Sequence, residues 1–259
     1  MKKILVFILI LTVQSTLLAQ KSKKREISLA DEENMVFKHE WSLGARIHTN
    51  GFSAFFERVW IKNIWKRNVL QTNFFYYRSF KDRKTKSIYT SYSDAVPYFY
   101  GKQNNFWSIN VLYGQKKVIA EKAEKSGVRL CFVYMGGVSL GILKPYGLKI
   151  IEQSDVGNTK VYFYDENNPE VFLDPLNANT HIYGAAGIGA GFNKIKPVAG
   201  AHLKFGLNFD WASRESFIKS LEVGTQVDIY YKKLPVYITN RNKPYILNLY
   251  LGIQLGKRW

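Results

Sequence analysis

Residues 245–259, YILNLYLGIQLGKRW, constrain the fold more than any other stretch. With a period of two, Tyr245, Leu247, Leu249, Leu251, Ile253 and Leu255 share one side, while Ile246, Asn248, Tyr250, Gly252, Gln254 and Gly256 share the other. Successive side chains of a strand point to opposite faces, so one face is wholly apolar and the other mostly polar or small. A strand of a soluble sandwich shows the same alternation. The unbroken apolar side, closed by the aromatic Trp259, fits better a strand with lipid on one face and a polar lumen on the other. Lys257 departs from that pattern, standing where an apolar residue is preferred.

The 259 residues suffice for one large β domain or two small ones. The sequence opens MKKILVFILILTVQSTLLAQ, with Lys2 and Lys3 as a positive n-region and Ile4 to Leu11 as an apolar core. Small residues follow at the usual cleavage position, so residues 1–19 read as a cleaved signal peptide. A membrane anchor is the alternative, but Thr12, Gln14, Ser15 and Thr16 break the apolar run. Cys131 is the single cysteine, which excludes an intramolecular disulfide. No later run approaches the ~20 apolar residues of a membrane helix, leaving a soluble periplasmic domain or an outer-membrane barrel. The formal charge is +17, or +15 once Lys2 and Lys3 are subtracted. Nucleic acid is not expected as the partner of an exported protein. A basic excess at membrane rims would meet phosphates of outer-membrane lipid or lipopolysaccharide, and solvated loops explain it equally.

Residues 20–35 are charged and read as a flexible periplasmic lead-in, with room for a short helix at 29–35, and the barrel is expected over 36–259. Trp41, Leu43, Ala45 and Ile47 alternate with Ser42, Gly44, Arg46 and His48, and Asn50-Gly51 marks a tight hairpin. Further strands are expected over 52–60, 69–78, 107–114, 129–141, 181–192, 201–211 and 221–231. Leu203, Phe205, Leu207 and Phe209 alternate with His202, Lys204, Gly206, Asn208 and Asp210, and Leu221, Val223 and Val227 with Glu222, Gln226 and Asp228. Charges along one face with continuous Leu, Phe and Val on the other read as polar inside and lipid outside. About nine candidates result, whereas such barrels take an even number of strands. Eight and ten both stay open, with a hidden strand in 80–104 or 144–180 or one candidate outside the wall. The fold class expected is all-β, a small antiparallel transmembrane barrel of the outer membrane, with its interior filled by side chains.

The inward positions include Arg46, His48, Glu57, Arg129, His202, Lys204, Asp210, Glu222 and Asp228. Charges of both signs in a narrow lumen should pair, giving a rigid polar plug. Nucleophilic catalysis needs a serine activated by an oriented histidine. His39, His48, His181 and His202 are the only histidines, and no such set assembles from spacing. No catalytic, cofactor-binding or metal-binding residues are therefore expected: the histidines are scattered and the cysteine lacks ligand spacing. The run Gly184–Gly189 superficially resembles a dinucleotide loop but has no strand–turn–helix context. Trp41, Trp60, Trp107, Trp211 and Trp259 fit interfacial girdles, with core packing as the alternative.

The LLAQ export signal, the Tyr-, Phe-, Asn- and Lys-rich strands and the GIQLGKRW ending resemble outer-membrane β-barrel proteins of the Bacteroidota. LEVGTQVDIYYKKLPVYI followed by NKPYILNLYLGIQLGKRW resembles a small barrel family of that phylum. The resemblance implies a non-enzymatic accessory subunit of an outer-membrane complex such as the barrel-assembly machinery, with a large barrel and lipoproteins as partners. A narrow pore or transporter, a lipid-modifying enzyme and a soluble periplasmic β-domain are the alternatives. Lys257 and Arg258 are expected at the inner rim, near lipid phosphates.

Overall fold

A computed structural model describes residues 37–79, 82, 84–85, 96–122, 127–152, 159–164, 180–214, 216–238 and 242–259. The expected signal peptide and lead-in, and much of the expected 144–180 loop, lie outside the described residues. Alternation of the kind read at 245–259 gives long strands: β1 (His39–His48), β2 (Gly51–Ile61), β3 (Lys66–Tyr77), then the two-residue β4 (Lys84–Thr85) and β5 (Tyr98–Phe99). Next come β6 (Asn104–Ala120), β7 (Arg129–Pro145), β8 (Gly147–Glu152), β9 (Thr159–Phe163) and β10 (Thr180–Ala185). The chain ends with β11 (Lys196–Asp210), β12 (Phe217–Tyr230) and β13 (Tyr245–Arg258). Eight of them close into an all-antiparallel barrel in the order β1-β13-β12-β11-β7-β6-β3-β2.

Closure joins the first and last strands, with Glu40 opposite Arg258 and His48 opposite Tyr250. Directly opposed residues followed round the wall from Glu40 run through Val59, Val69, Gly114, Met135, Lys204, Gln226 and Asn248. The path returns to the end of β1 at Asn50, whose amide donates to Asn248 at 3.0 Å. That offset, from 40 to 50, over eight strands tilts them by about 40° and fixes which side chains meet across the lumen.

The two barrel ends differ. Where β1 begins and β13 ends, residues 62–65, 121–128 and 211–216 connect the strands. At the other end the connections are 49–50, 78–103, 146–195 and 231–244. The hairpin expected at Asn50-Gly51 forms one residue earlier, with Thr49 and Asn50 as its loop and Gly51 opening β2 opposite His48. Gly51 takes φ 133°, and a Cβ there would lie 2.0 Å from the Tyr76 carbonyl oxygen, so only glycine fits.

The glycine-rich run 181–192, expected as a wall strand, is not one. Its first part is β10, in a separate three-stranded sheet of order β10-β8-β9 above the long-loop end. The remainder turns and ends in a 3-10 turn, Phe192–Lys194. The hidden strands of 80–104 and 144–180 exist, but outside the wall as well, so the wall holds eight. Close packing explains Gly184, where a Cβ would sit 2.3 Å from the Val96 carbonyl oxygen, but not Gly187 or Gly189, where a Cβ would meet nothing within 4 Å among the described residues. Tyr98, Tyr146, Leu148, Ile150 and Ile182 form the core of this head. The Tyr146 hydroxyl accepts from the Phe99 backbone N–H at 3.0 Å. Buried Lys102 ties the loops together by donating to Asp82 at 3.1 Å, and the Tyr237 hydroxyl bonds the same carboxylate.

Candidate functional site

The wall is inside out relative to a soluble protein. Ile47 is 72% exposed and Leu249 62%, whereas Lys204, Glu222 and Asp228 are fully buried. Water outside would invert that preference, because an unpaired buried charge costs several kcal/mol while exposed leucine gains nothing. Hydrocarbon outside makes both choices favourable, and a closed barrel satisfies every strand edge.

The lumen is filled in layers. At the short-turn end Glu40 accepts from Arg67 at 2.6 Å and from Arg258 at 2.8 Å. Asp210 accepts from Arg258 at 2.5 Å, lies 3.7 Å from Arg129, and caps the following turn by accepting from the Ala212 N–H at 3.1 Å. Arg258 therefore points inward, not to the lipid rim as expected from its place at the strand end. It shares the inward parity of Gln254 and Gly256, while Lys257 is the outward, exposed neighbour.

Above lies the central layer. Glu57 takes Lys116, Gln71 at 3.0 Å and Gln254 at 2.9 Å. Glu222 takes Lys204 at 2.7 Å and Arg46 at 3.2 Å. Lys204 also donates to Gln71 at 3.2 Å, joining the two carboxylates into one network. The Arg46 guanidinium lies over the Phe55 ring, 3.5 Å from its centroid. Carboxylates held by two or more donors each are how a low-dielectric lumen tolerates them.

Two histidines sit higher. His202 Nδ1 is 2.6 Å from Asp228, and His48 Nε2 is 2.8 Å from Ser53 Oγ. Ser139 donates to Asn110 at 2.6 Å and its oxygen is 2.8 Å from the Tyr230 hydroxyl. These are two halves of a triad that do not join. Among the described residues His202 has a carboxylate and no serine, since its Nε2 meets no partner, and His48 has a serine and no carboxylate.

A stopper of Phe106, Leu143, Val198, Tyr230, Leu234, Val236 and Ile246 then fills the long-loop mouth. Leu234 and Val236 come from the 231–244 loop, held over the opening where the Gln103 N–H donates to the Val236 carbonyl at 2.9 Å. The histidines lie beneath this stopper in a lumen where His48, Ser53, His202 and Asp228 are all buried.

Each of the nine expected inward residues lies on the inner face, Arg129 at its short-turn edge. Sequence reading missed Glu40, Arg67, Lys116 and Arg258, whereas Gln254 is buried on the polar side of 245–259 where the alternation puts it. The signal for the missed residues was parity: Lys116 lies two residues past the end of the expected strand 107–114 and continues the buried series Ser108, Asn110, Leu112. On the outside, Trp41, Trp60, Trp211 and Trp259 ring the short-turn end and Trp107 stands toward the other, as girdles do.

Register and burial together define the class: this is an integral outer-membrane β-barrel protein of the small, eight-stranded kind. No protein-family model matches the sequence, and none of the curated proteins searched matches it significantly. Among solved structures, the attachment invasion locus protein Ail of Yersinia pestis is similar at 10% identity and a TM-score of 0.41, over 86% of this chain and 99% of that one. Neisserial surface protein A is similar at 9% identity and 0.37, over 85% and 96%. A major outer membrane protein of Thermus thermophilus is similar at 12% and 0.37, over 85% and 99%. Likeness at this distance says nothing of what the chain does, and the class rests on its own register and burial.

Proposed function

We propose that the protein is a non-enzymatic accessory subunit of an outer-membrane protein complex, and that it binds through its head and outer wall. The observation that carries this reading is the shut lumen, in which paired charges fill the centre and an apolar stopper fills the mouth. Conduction needs a wetted path, and acyl transfer needs a substrate path to an assembled nucleophile. What the molecule offers to partners is its exterior. β9 lies at the edge of the head sheet, and no described strand pairs with its other side. An open edge of this kind recruits an extended segment by strand addition.

The barrel-assembly machinery is the complex that the sequence resemblance supplies. Purification of the tagged protein in mild detergent is expected to bring down a large barrel and lipoproteins, and recovery of the barrel alone would count against it. In planar bilayers the purified protein is expected to pass no stepwise current. Steady single-channel steps would replace the subunit reading with a pore.

By the rule that small barrels keep short turns in the periplasm, the head is placed outside the cell. Arg78, Lys194, Lys232, Lys233 and Lys243 are exposed at that end and suit lipopolysaccharide phosphates. Export with removal of residues 1–19 completes the proposal. N-terminal sequencing of the membrane-extracted protein is expected to start at Gln20, and a start at Met1 would mean a retained anchor.

A further inference from the structure

We propose that the wall formed by β3, β6, β7 and β11 carries a docking site for one anionic diacyl phospholipid. Its phosphate would sit on Lys66 and Lys117, and one acyl chain would lie in the groove over Gly136. The inference rests on the membrane placement and is independent of the subunit reading.

Lys66 and Lys117 are directly opposed across the β3–β6 ladder, and both point outward and are exposed. Like charges directly opposite each other destabilise an antiparallel pair unless an anion lies between them. The next opposed pair, Arg67 and Lys116, shows the contrast. It faces the lumen, where Arg67 has Glu40 at 2.6 Å and Lys116 has Glu57. The outward pair has no ion-pair partner among the described residues. Two cations side by side at a membrane edge are the charge complement of a lipid phosphate.

One outward row farther from that edge, Asn68, Gln115 and Tyr134 stand side by side. The Tyr134 hydroxyl donates to Gln115 Oε1 at 2.6 Å, and Gln115 Nε2 donates to Asn68 Oδ1 at 3.3 Å. This polar row falls where the glycerol esters of a lipid held by the lysines would lie. Next comes a groove of about 420 Å³ lined by Tyr113, Gln115, Tyr134, Gly136, Leu203 and Phe205. Gly136 is its floor, and even a Cβ there would approach Leu203 Cδ2 to 3.2 Å. Cations, then polar groups, then a mostly apolar groove follow the order of phosphate, ester and chain. A protein segment would need a broader flat face and would have no use for the two lysines.

The test is native mass spectrometry of the whole purified barrel in neutral detergent with added dioleoyl phosphatidylglycerol. One retained lipid per barrel is expected. Lys66→Gln with Lys117→Gln should lower the retained fraction about tenfold, the scale of losing one charge-assisted contact. Gly136→Leu should lower it similarly with both lysines intact. Folding is followed by the heat-dependent gel shift of the barrel, and Gly136→Ala serves if the leucine variant fails to fold. Equal lipid retention by the wild type and both variants would overturn the proposal. So would displacement of the lipid by inorganic phosphate alone, which would mean a simple anion site, or a dimer that Gly136→Leu abolishes, which would mean a protein interface.

Discussion

Replacing Glu222 by leucine should be the most damaging single change in the lumen, lowering stability by ~3–5 kcal/mol. Glu222 is fully buried and is the shared partner of Lys204 at 2.7 Å and Arg46 at 3.2 Å. Its removal leaves two cations in a low-dielectric space. One of them, Lys204, keeps only the amide of Gln71 and the distant rings of Phe55 and Tyr250. The nearest other carboxylate, Glu57, is already committed to Lys116, Gln71 and Gln254. Urea unfolding of the barrel refolded in vesicles would measure the loss. A triple variant, Glu222→Leu with Arg46→Met and Lys204→Met, should recover most of it, because removing a whole buried ion network is often near neutral. If the triple variant were no better than the single one, the lumen would be held by packing and not by charge compensation.

The same network shows what the sequence makes legible. Parity along one strand says which side chains turn inward, and it placed Arg46, Glu57, Lys204, Asp210, Glu222 and Asp228 on the inner face. Parity does not say who meets whom. Arg46 and Glu222 are 176 residues apart and meet because the wall returns on itself ten residues out of step, a property of closure and not of any one strand. Nor does spacing alone show that His202 takes Asp228 or that His48 takes Ser53, since each pair lies across a hairpin whose register the turn sets. Arg258 failed for another reason. Its position at the strand end suggested the rim, although its parity pointed to the lumen, and parity was the better guide. The run 181–192 misled because glycine and alanine carry little face preference. Its strand ends at Ala185 and packs on a loop instead of completing a wall. Long strands buried on one side write their fold into the sequence. Loop strands held by contacts with other loops do not.

The outer face yields the second large effect, which depends on depth. Leu251 lies midway along β13, between Ile47 of β1 and Val223 of β12, and is half exposed. Leu255 on the same face lies near the short-turn end, between Leu43 and Lys219. Arginine at the bilayer midplane costs a barrel ~2–4 kcal/mol, and near the interface only ~0–1 kcal/mol. Leu251→Arg is therefore expected to lower stability in vesicles far more than Leu255→Arg, whose guanidinium can join Lys219 and Lys257 among lipid phosphates. In a soluble β-domain both leucines would be surface residues, and each change would stay within about 0.5 kcal/mol. Vesicle-based unfolding of the two variants thus separates lipid from water outside the wall with no partner needed. Equal and small losses at both positions would remove the membrane placement, and with it the complex and the lipid site. A steep difference would fix the level of the bilayer on β13 and set Lys66, Lys117, Lys219 and Lys257 at one edge of it.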